Sequence, residues 1–356
     1  MNNMHHTPLG VGVIGLGRSG WHIHVAGLLK MPEHYRVAAV SDPAPESRTE
    51  AEQQLDCQVF TDPQQVIGHP DVAIVVVASP SHTHVPLALE ALAAGKHVVI
   101  EKPMAASVGE IDQLTEAAAV AGRVVTCFHN NRFEASLRTI TKLINEGRIG
   151  DPLIIRRCVH RYSRRTDWQT LRRFGGGELA NQTSHYLDQM LTLVGDQEVT
   201  IAAADIRQTV SAGDAEDHVK LSLSVTDGPL IEIETMASVA LPQPAWFVTG
   251  TAGGIVGSAQ ELTVRWLDPA SLPEITATTG PAPGRRYFSS EVLPWQEEQI
   301  RVEPTDRTHV FYQNLYEVIT AGAELAITPE SVRRQVAILE DARTLSSPSL
   351  PIPLSL

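Results

Sequence analysis

Cysteine is scarce in this chain. Its three cysteines, Cys57, Cys127 and Cys158, stand far apart, which gives neither a disulfide framework nor a metal-ligand spacing. They read as buried or incidental thiols in a reducing compartment, and no metal is expected. Long apolar runs are also missing. The longest, Val72–Ala78, falls far short of the ~20 residues that span a bilayer, so no membrane partner is expected. Met1–Pro8 is polar and carries His5 and His6. It lacks the apolar core of a secretory signal and reads as a frayed tail, so a cytoplasmic location is expected. Positive charge is in deficit: 28 Lys plus Arg against 41 Asp plus Glu leave a net charge of -13. Such a surface repels phosphate backbones, which argues against nucleic acid as a partner. One stretch runs the other way, with Arg156, Arg157, Arg161, Arg164, Arg165, Arg172 and Arg173 close in sequence. Salt bridges to the chain's own carboxylates explain this cluster as well as an acidic sugar or sugar-nucleotide ligand does.

A chain of 356 residues is longer than one core usually holds, and two domains are expected. Up to residue 129, strands and helices alternate. Strands are predicted at Gly10–Gly15, Arg36–Ser41, Val72–Ala78, His97–Glu101 and Arg123–Phe128. Helices are predicted at Ser19–Leu29, Ser47–Gln54, Thr83–Ala94 and Val108–Ala121. Strict alternation means βαβ units and a doubly wound parallel sheet, the α/β Rossmann class. From residue 130 the pattern changes. One helix, Arg132–Glu146, precedes strand candidates with few helices between them: Leu153–Arg161, Val199–Gln208, Asp217–Val225, Leu230–Ala240, Trp246–Thr251 and Leu262–Leu267. A helix at Glu178–Val194 interrupts them, residues 268–306 read as loops, and helices near Val310–Ala321 and Pro329–Ser346 close the chain. Residues 130–356 are therefore expected to form an α+β domain with a large, mainly antiparallel open sheet.

Gly15-Leu16-Gly17-Arg18-Ser19-Gly20 follows a strand and opens a helix, the context that gives a G-x-G-x-x-G pattern its meaning. Gly15 permits the tight turn, Gly17 leaves the pyrophosphate unobstructed, and Gly20 lets helix and strand pack closely. Backbone N–H groups at Arg18 and Ser19 then face the diphosphate at the helix start. Asp42 ends the second strand about 22 residues later, where a carboxylate accepts from a ribose 2′-OH and repels a 2′-phosphate. NAD is therefore expected rather than NADP. Ser79, Pro80 and His84 follow the Val72–Ala78 strand, and Glu101 and Lys102 follow the next. Both loops belong at the carboxyl ends of the strands, where ligands bind.

Together these stretches resemble the Gfo/Idh/MocA oxidoreductase family. The resemblance rests on the glycine turn, Ser79-Pro80-Ser81-His82-Thr83-His84 and Ala94-Gly95-Lys96-His97-Val98-Val99-Ile100-Glu101-Lys102-Pro103. In the second half it is carried by Gly175-Gly176-Gly177-Glu178-Leu179, Ser184-His185-Tyr186-Leu187-Asp188, Phe311-Tyr312-Gln313-Asn314-Leu315-Tyr316 and Thr328-Pro329-Glu330. It implies that Lys102 sits between nicotinamide ribose and substrate, often with a cis bond to Pro103, and that Glu101 contacts the cofactor. It also implies an Asp and a catalytic His four residues apart on a helix. Here those positions hold Asn181 and His185, and an amide cannot take a proton. Thr183, where the family often has Gly, departs as well.

The expected chemistry is oxidation of a sugar, polyol or glycoside hydroxyl. His185 would act as acid/base, Lys102 would steady the developing alkoxide, and Asn181 would orient the substrate or the ring. Asn131 and Arg132, at the domain junction, and Tyr162, Arg165 and Trp168, before the glycine run, are substrate-binding candidates. Two other readings share the fold: a glycoside-cleaving enzyme that recycles tightly held NAD, and a non-catalytic sugar or NAD sensor. The uncovered sheet face leads to the expectation of a homo-oligomer, and the resemblance implies a homodimer or homotetramer built sheet to sheet.

Overall fold

The structure, a computed structural model, describes residues 7–277, 279–281 and 291–345. His5, His6 and Ser346 lie outside the described residues.

Six strands form the first sheet: β1 (Leu9–Ile14), β2 (Tyr35–Ser41), β3 (Gln58–Phe60), β4 (Ile74–Val77), β5 (His97–Ile100) and β6 (Val125–Cys127). All pair in parallel, in the order β3-β2-β1-β4-β5-β6. This is the doubly wound order expected from the alternation. All four residues of β4 are fully buried, because helices cover both faces of a parallel sheet; hence the unbroken Ile-Val-Val-Val. After β1 comes a π-turn, Gly20–Val25, leading into α1 (Ala26–Leu28). The other helices of this half are α2 (Pro45–Gln54), α3 (Pro63–Ile67), α4 (His84–Ala93) and α5 (Val108–Ala121). The last opens with a reciprocal Ser107–Glu110 capping box and stops at Gly122, whose φ is 61°. The sequence pattern missed β3 and α3, which are too short to show a period.

The second half holds α6 (Ala135–Asn145), β7 (Pro152–His160), α7 (Ser184–Val194), β8 (Val199–Arg207), β9 (His218–Val225), β10 (Leu230–Met236), β11 (Trp246–Gly250), β12 (Gly253–Gly257), β13 (Glu261–Trp266) and β14 (Gln296–Arg301). Two helices, α8 (Arg307–Ala321) and α9 (Pro329–Leu345), complete the described chain. The eight-stranded sheet runs β14-β13-β12-β11-β7-β10-β9-β8 and is antiparallel except between β7 and β10. Three expectations need correction. The helix predicted over Arg132–Glu146 is split. Asn130–Phe133 is a 3-10 turn, Glu134 is extended, and α6 begins at Ala135. The Glu134 carboxylate, which accepts from Ser136 Oγ at 2.7 Å and Gln189 Nε2 at 2.8 Å, fixes that break. The stretch 268–306 is not all loop, since β14 lies in it. Its Gln-Glu-Glu-Gln-Ile-Arg sequence shows no apolar period, because an edge strand is protected by charge. β12, with three glycines among its five residues, was hidden because glycine has no side chain to mark an apolar period.

The two sheets have separate apolar cores, but the end of the chain serves both. Phe311, Tyr312, Leu315, Ile327, Val332 and Val336 pack into the core of the first sheet, whereas Ile338, Leu339 and Ala342 join the second. Tyr312 is wholly buried, with ring centroids 5.4 Å from Tyr35 and 6.2 Å from Phe128, and Phe311 sits 4.7 Å from Phe128. On α9, the buried Gln335 accepts from or donates to both halves, reaching His129 Nε2 at 3.1 Å and the Ser184 carbonyl. Among the described residues, no helix is long and apolar enough to cross a membrane.

Candidate active site

The carboxyl ends of β1, β4 and β5 meet where the strand order reverses, the place where open α/β sheets bind ligands. There the Gly15 N–H donates to the Ser41 carbonyl at 2.8 Å, and Gly15 adopts φ 91°. A Cβ on Gly15 would lie 2.8 Å from the Ala78 carbonyl oxygen, and one on Gly20 only 1.8 Å from the Gly15 oxygen. Among the described residues, a Cβ on Gly17 would meet nothing within 4 Å. Two glycines are thus demanded by the protein's own packing, and the third borders open space of the kind a diphosphate needs. That space belongs to a groove of about 670 Å³ lined by Gly15, Gly17, Arg18, Ser19, Asp42, Ser79 and Pro80. Asp42 lies on its wall at the end of β2. The Asp42 carboxylate accepts from the Leu16 N–H at 2.7 Å and the Ala44 N–H at 2.8 Å, which locks the glycine turn against β2. These residues fit a dinucleotide.

A second cavity, of about 300 Å³, adjoins the groove and shares Arg18, Ser19, Ser79, Trp168 and Gln169 with it. Glu101, Lys102, Asn131, Asn181, His185 and Arg307 also line it. Lys102 follows β5 and has a cis bond to Pro103. Its Nζ donates to the Asn181 carbonyl and to Asn181 Oδ1, both at 2.8 Å. Burial lowers the Lys102 ammonium below its ordinary pKa, partly countered by Glu101. Burial alone would raise the Glu101 carboxyl, but the His24 hydrogen bond (3.3 Å) and the charges around it hold it at about 2. His24 in turn meets Tyr312 Oη at 2.7 Å. His185 is buried, and its pKa is pushed well below the ordinary range, first by burial and then by Lys102, His129 and Arg307. Among the described residues its Nδ1 is buried without a hydrogen-bond partner, and its ring lies edge-on to His129 at 5.7 Å.

The structure sorts the sequence candidates. Arg18, Ser19, Ser79 and Trp168 stand where groove and cavity join. His84 borders the cavity, but its ring is placed between the Pro103 carbonyl (2.8 Å) and the Ser79 carbonyl (2.9 Å) and so joins the two loops. Burial pushes its pKa down despite these acceptors, and a neutral ring donates to one of them. Asn131 reaches the cavity; Arg132 does not. Its guanidinium is engaged by Asp188 Oδ2 at 3.0 Å, by Asp188 Oδ1 and by the Ala326 carbonyl at 2.8 Å. Tyr162 is 62% exposed and bridges to Ser238. Arg165 pairs with Asp167 at 2.7 Å and borders the groove rather than the cavity. Much of the arginine cluster resolves into ion pairs: Arg156 with Glu232, Arg157 with Glu134 and Arg161 with Glu178. Cys158, His160 and Glu234 bring possible ligand atoms within 4.8 Å of one another, a grouping that wide sequence spacing concealed. Lys220 already pairs with that carboxylate at 2.9 Å. His24, His129, Gln169 and Arg307 were missed. His24 and Arg307 are far in sequence from the other site residues, and only the fold brings them here; His129 and Gln169 stand beside the candidates Asn131 and Trp168 but match no motif.

Comparison with known proteins agrees with this geometry. Residues 9–129 match the model of the oxidoreductase family with an NAD-binding Rossmann fold, and residues 137–256 match the GFO/IDH/MocA C-terminal domain. The chain is similar to a scyllo-inositol 2-dehydrogenase (NADP(+)) of Bacillus subtilis, 26% identical over 93% of this chain and 92% of that protein. It is 39% identical to inositol 2-dehydrogenase 1 of Saccharopolyspora erythraea over 43% of this chain and 46% of that one. Its fold is shared with an NAD-binding protein from Listeria innocua, at a TM-score of 0.80 and 22% identity over 96% and 98% of the two chains. With both of its halves matched in order, the chain belongs to the GFO/IDH/MocA family of oxidoreductases.

Proposed function

We propose that this protein is an NAD-dependent dehydrogenase of a sugar or polyol hydroxyl, with His185 as acid/base and Lys102 as the group that steadies the alkoxide. One observation carries the reading: Lys102 and His185, from opposite halves of the chain, line one cavity that opens into the glycine-turn groove. Bound NAD would supply the hydride acceptor. The rest falls to side chains. Two of the three Lys102 ammonium hydrogens go to Asn181, which leaves one for a substrate oxygen. His185 is kept neutral by its surroundings and can take the hydroxyl proton. Asn181 orients Lys102 without sharing its proton. Trp168 offers a flat apolar wall.

Asp42 supports NAD over NADP: its carboxylate, fixed at the end of β2 by two backbone N–H groups, would accept from a ribose 2′-OH and repel a 2′-phosphate. The nearby Arg48 is engaged by backbone, donating to the carbonyls of Asp42 (2.8 Å) and Pro43 (2.9 Å). We assign cofactor binding to residues 1–129 and substrate binding to residues 130–356. A homodimer or homotetramer through the outer face of the eight-stranded sheet is supported by Leu230 and Phe247, 38% and 37% exposed there.

His185→Ala should lower kcat by about 10²–10⁴ and leave NAD affinity unchanged; unchanged turnover would remove the ring from the reaction. The assay follows NADH over many turnovers with sugars, inositols and glycosides. Product formed without free NADH would favour a cofactor-recycling glycoside-cleaving enzyme instead.

A further inference from the structure

In a chain with a net charge of -13, two cations on the inner cavity wall, Lys102 and Arg307, have side chains held by amides rather than by direct ion pairs. Five arginines between positions 132 and 165 each pair with a carboxylate: Arg132, Arg156, Arg157, Arg161 and Arg165. Arg307 differs. It stands half-buried at the start of α8 on the cavity wall, and its side chain donates to the amide oxygen of Asn131. Among the described residues, no carboxylate is within ion-pairing distance of it. Lys102 is held the same way, by the amide of Asn181. An amide orients a cation without neutralising it. Glu101, the one acid on the wall among the described residues, is committed to His24 and to the Lys102 N–H. A partly desolvated guanidinium without a counter-charge is costly. Arg18 borders the cofactor groove and Lys102 serves the reacting oxygen, so Arg307 remains as the cation for the substrate.

We propose that the substrate of this site is a sugar acid, an aldonate or uronate whose carboxylate is received by Arg307 with Asn131 holding the guanidinium. This rests on the dehydrogenase reading and narrows it. The planar guanidinium matches a carboxylate through two parallel hydrogen bonds, and a cavity of about 300 Å³ suits a single sugar. A carboxylate beside Arg307 also places negative charge near His185. It thereby offsets part of the cationic surroundings that oppose protonation of the ring.

The test measures binding and turnover separately. Calorimetry on the NAD-saturated protein compares D-gluconate and D-glucuronate with D-glucose, myo-inositol and glucose 6-phosphate, and NADH absorbance follows turnover of each. The acids should bind at least tenfold more tightly than the neutral compounds and the phosphate ester. Arg307→Gln should weaken the acids at least tenfold more than it weakens the neutral compounds, and Arg307→Lys should lie between. Asn131→Asp, which places a carboxylate beside Arg307, should mimic Arg307→Gln and provides the same test if that variant does not fold. Acids that bind no better than glucose or inositol, or that lose no more affinity than these do in Arg307→Gln and Asn131→Asp, would overturn the proposal. Arg307-dependent acid binding with no NADH from any probe would uphold the subsite and overturn the dehydrogenase reading. NADH from neutral sugars with no dependence on Arg307 would do the reverse.

Discussion

The two walls of the cleft are made by different means. The cofactor wall is mainly backbone: a turn with two obligatory glycines, loop carbonyls joined by His84, and one carboxylate clamping two N–H groups. The substrate wall is made of side chains drawn from Asn131, Trp168, Asn181, His185 and Arg307, behind which buried ion pairs hold the elements in place. A backbone site depends on the absence of atoms and tolerates no added Cβ. A side-chain site depends on pairing and fails when one partner is removed.

The largest effect should come from the paired wall. Arg132→Ala leaves the Asp188 carboxylate, only 2% exposed, without its counter-ion, and should cost about 3–5 kcal/mol in urea unfolding. A loss under about 1 kcal/mol would make that pair no more than a surface contact and break the contrast. Next is the backbone wall. Gly20→Ala puts a Cβ 1.8 Å from the Gly15 oxygen and should destabilise by about 3 kcal/mol, with loss of NAD binding. Gly17→Ala meets no atom of the described residues within 4 Å. It should melt as the parent does, yet bind NAD about tenfold more weakly, ~1.4 kcal/mol. Equal melting shifts for the two variants would contradict the division between packing glycine and ligand glycine.

The smallest effect concerns acid. His97 Nδ1 accepts from the Val124 N–H at 3.0 Å, and burial with Arg123 lowers the ring to about 4. The unfolded ring takes its proton near 6.5, so the native state gains from a neutral His97 above that pH. That gain fades as pH falls towards 4. With solvent screening it is on the order of 1 kcal/mol. His97→Asn keeps an acceptor and should flatten the stability profile between pH 6.5 and 4. An unchanged slope would assign the acid sensitivity of this half to other groups.

The contrast also explains what could be read in advance. Glycine spacing, the alternation of strand and helix, and the Glu101-Lys102-Pro103 run are local, and they located the first sheet and the cofactor groove. His185 was legible because it follows a glycine run on one helix. Arg307 was not, since it lies more than 100 residues from the rest of the cavity wall in sequence and no period marks it. Arg132 misled for the opposite reason. A junction position suggested a ligand, but the nearby carboxylate of Asp188, 56 residues on, took its guanidinium. β14 escaped notice because its exposed edge carries charge where a strand signal would carry apolar residues.

The return of α8 to the first sheet has a consequence during synthesis. About 180 residues separate Phe128 from Phe311, and at roughly 5–20 residues per second the ribosome needs about 10–40 s to cover that distance. Throughout that interval the nascent first half presents Tyr35, Phe128 and the imidazole of His24 with no aromatic lid over them. The newborn chain therefore offers chaperones a sticky face that the finished protein hides, and it loses that face only when α8 emerges.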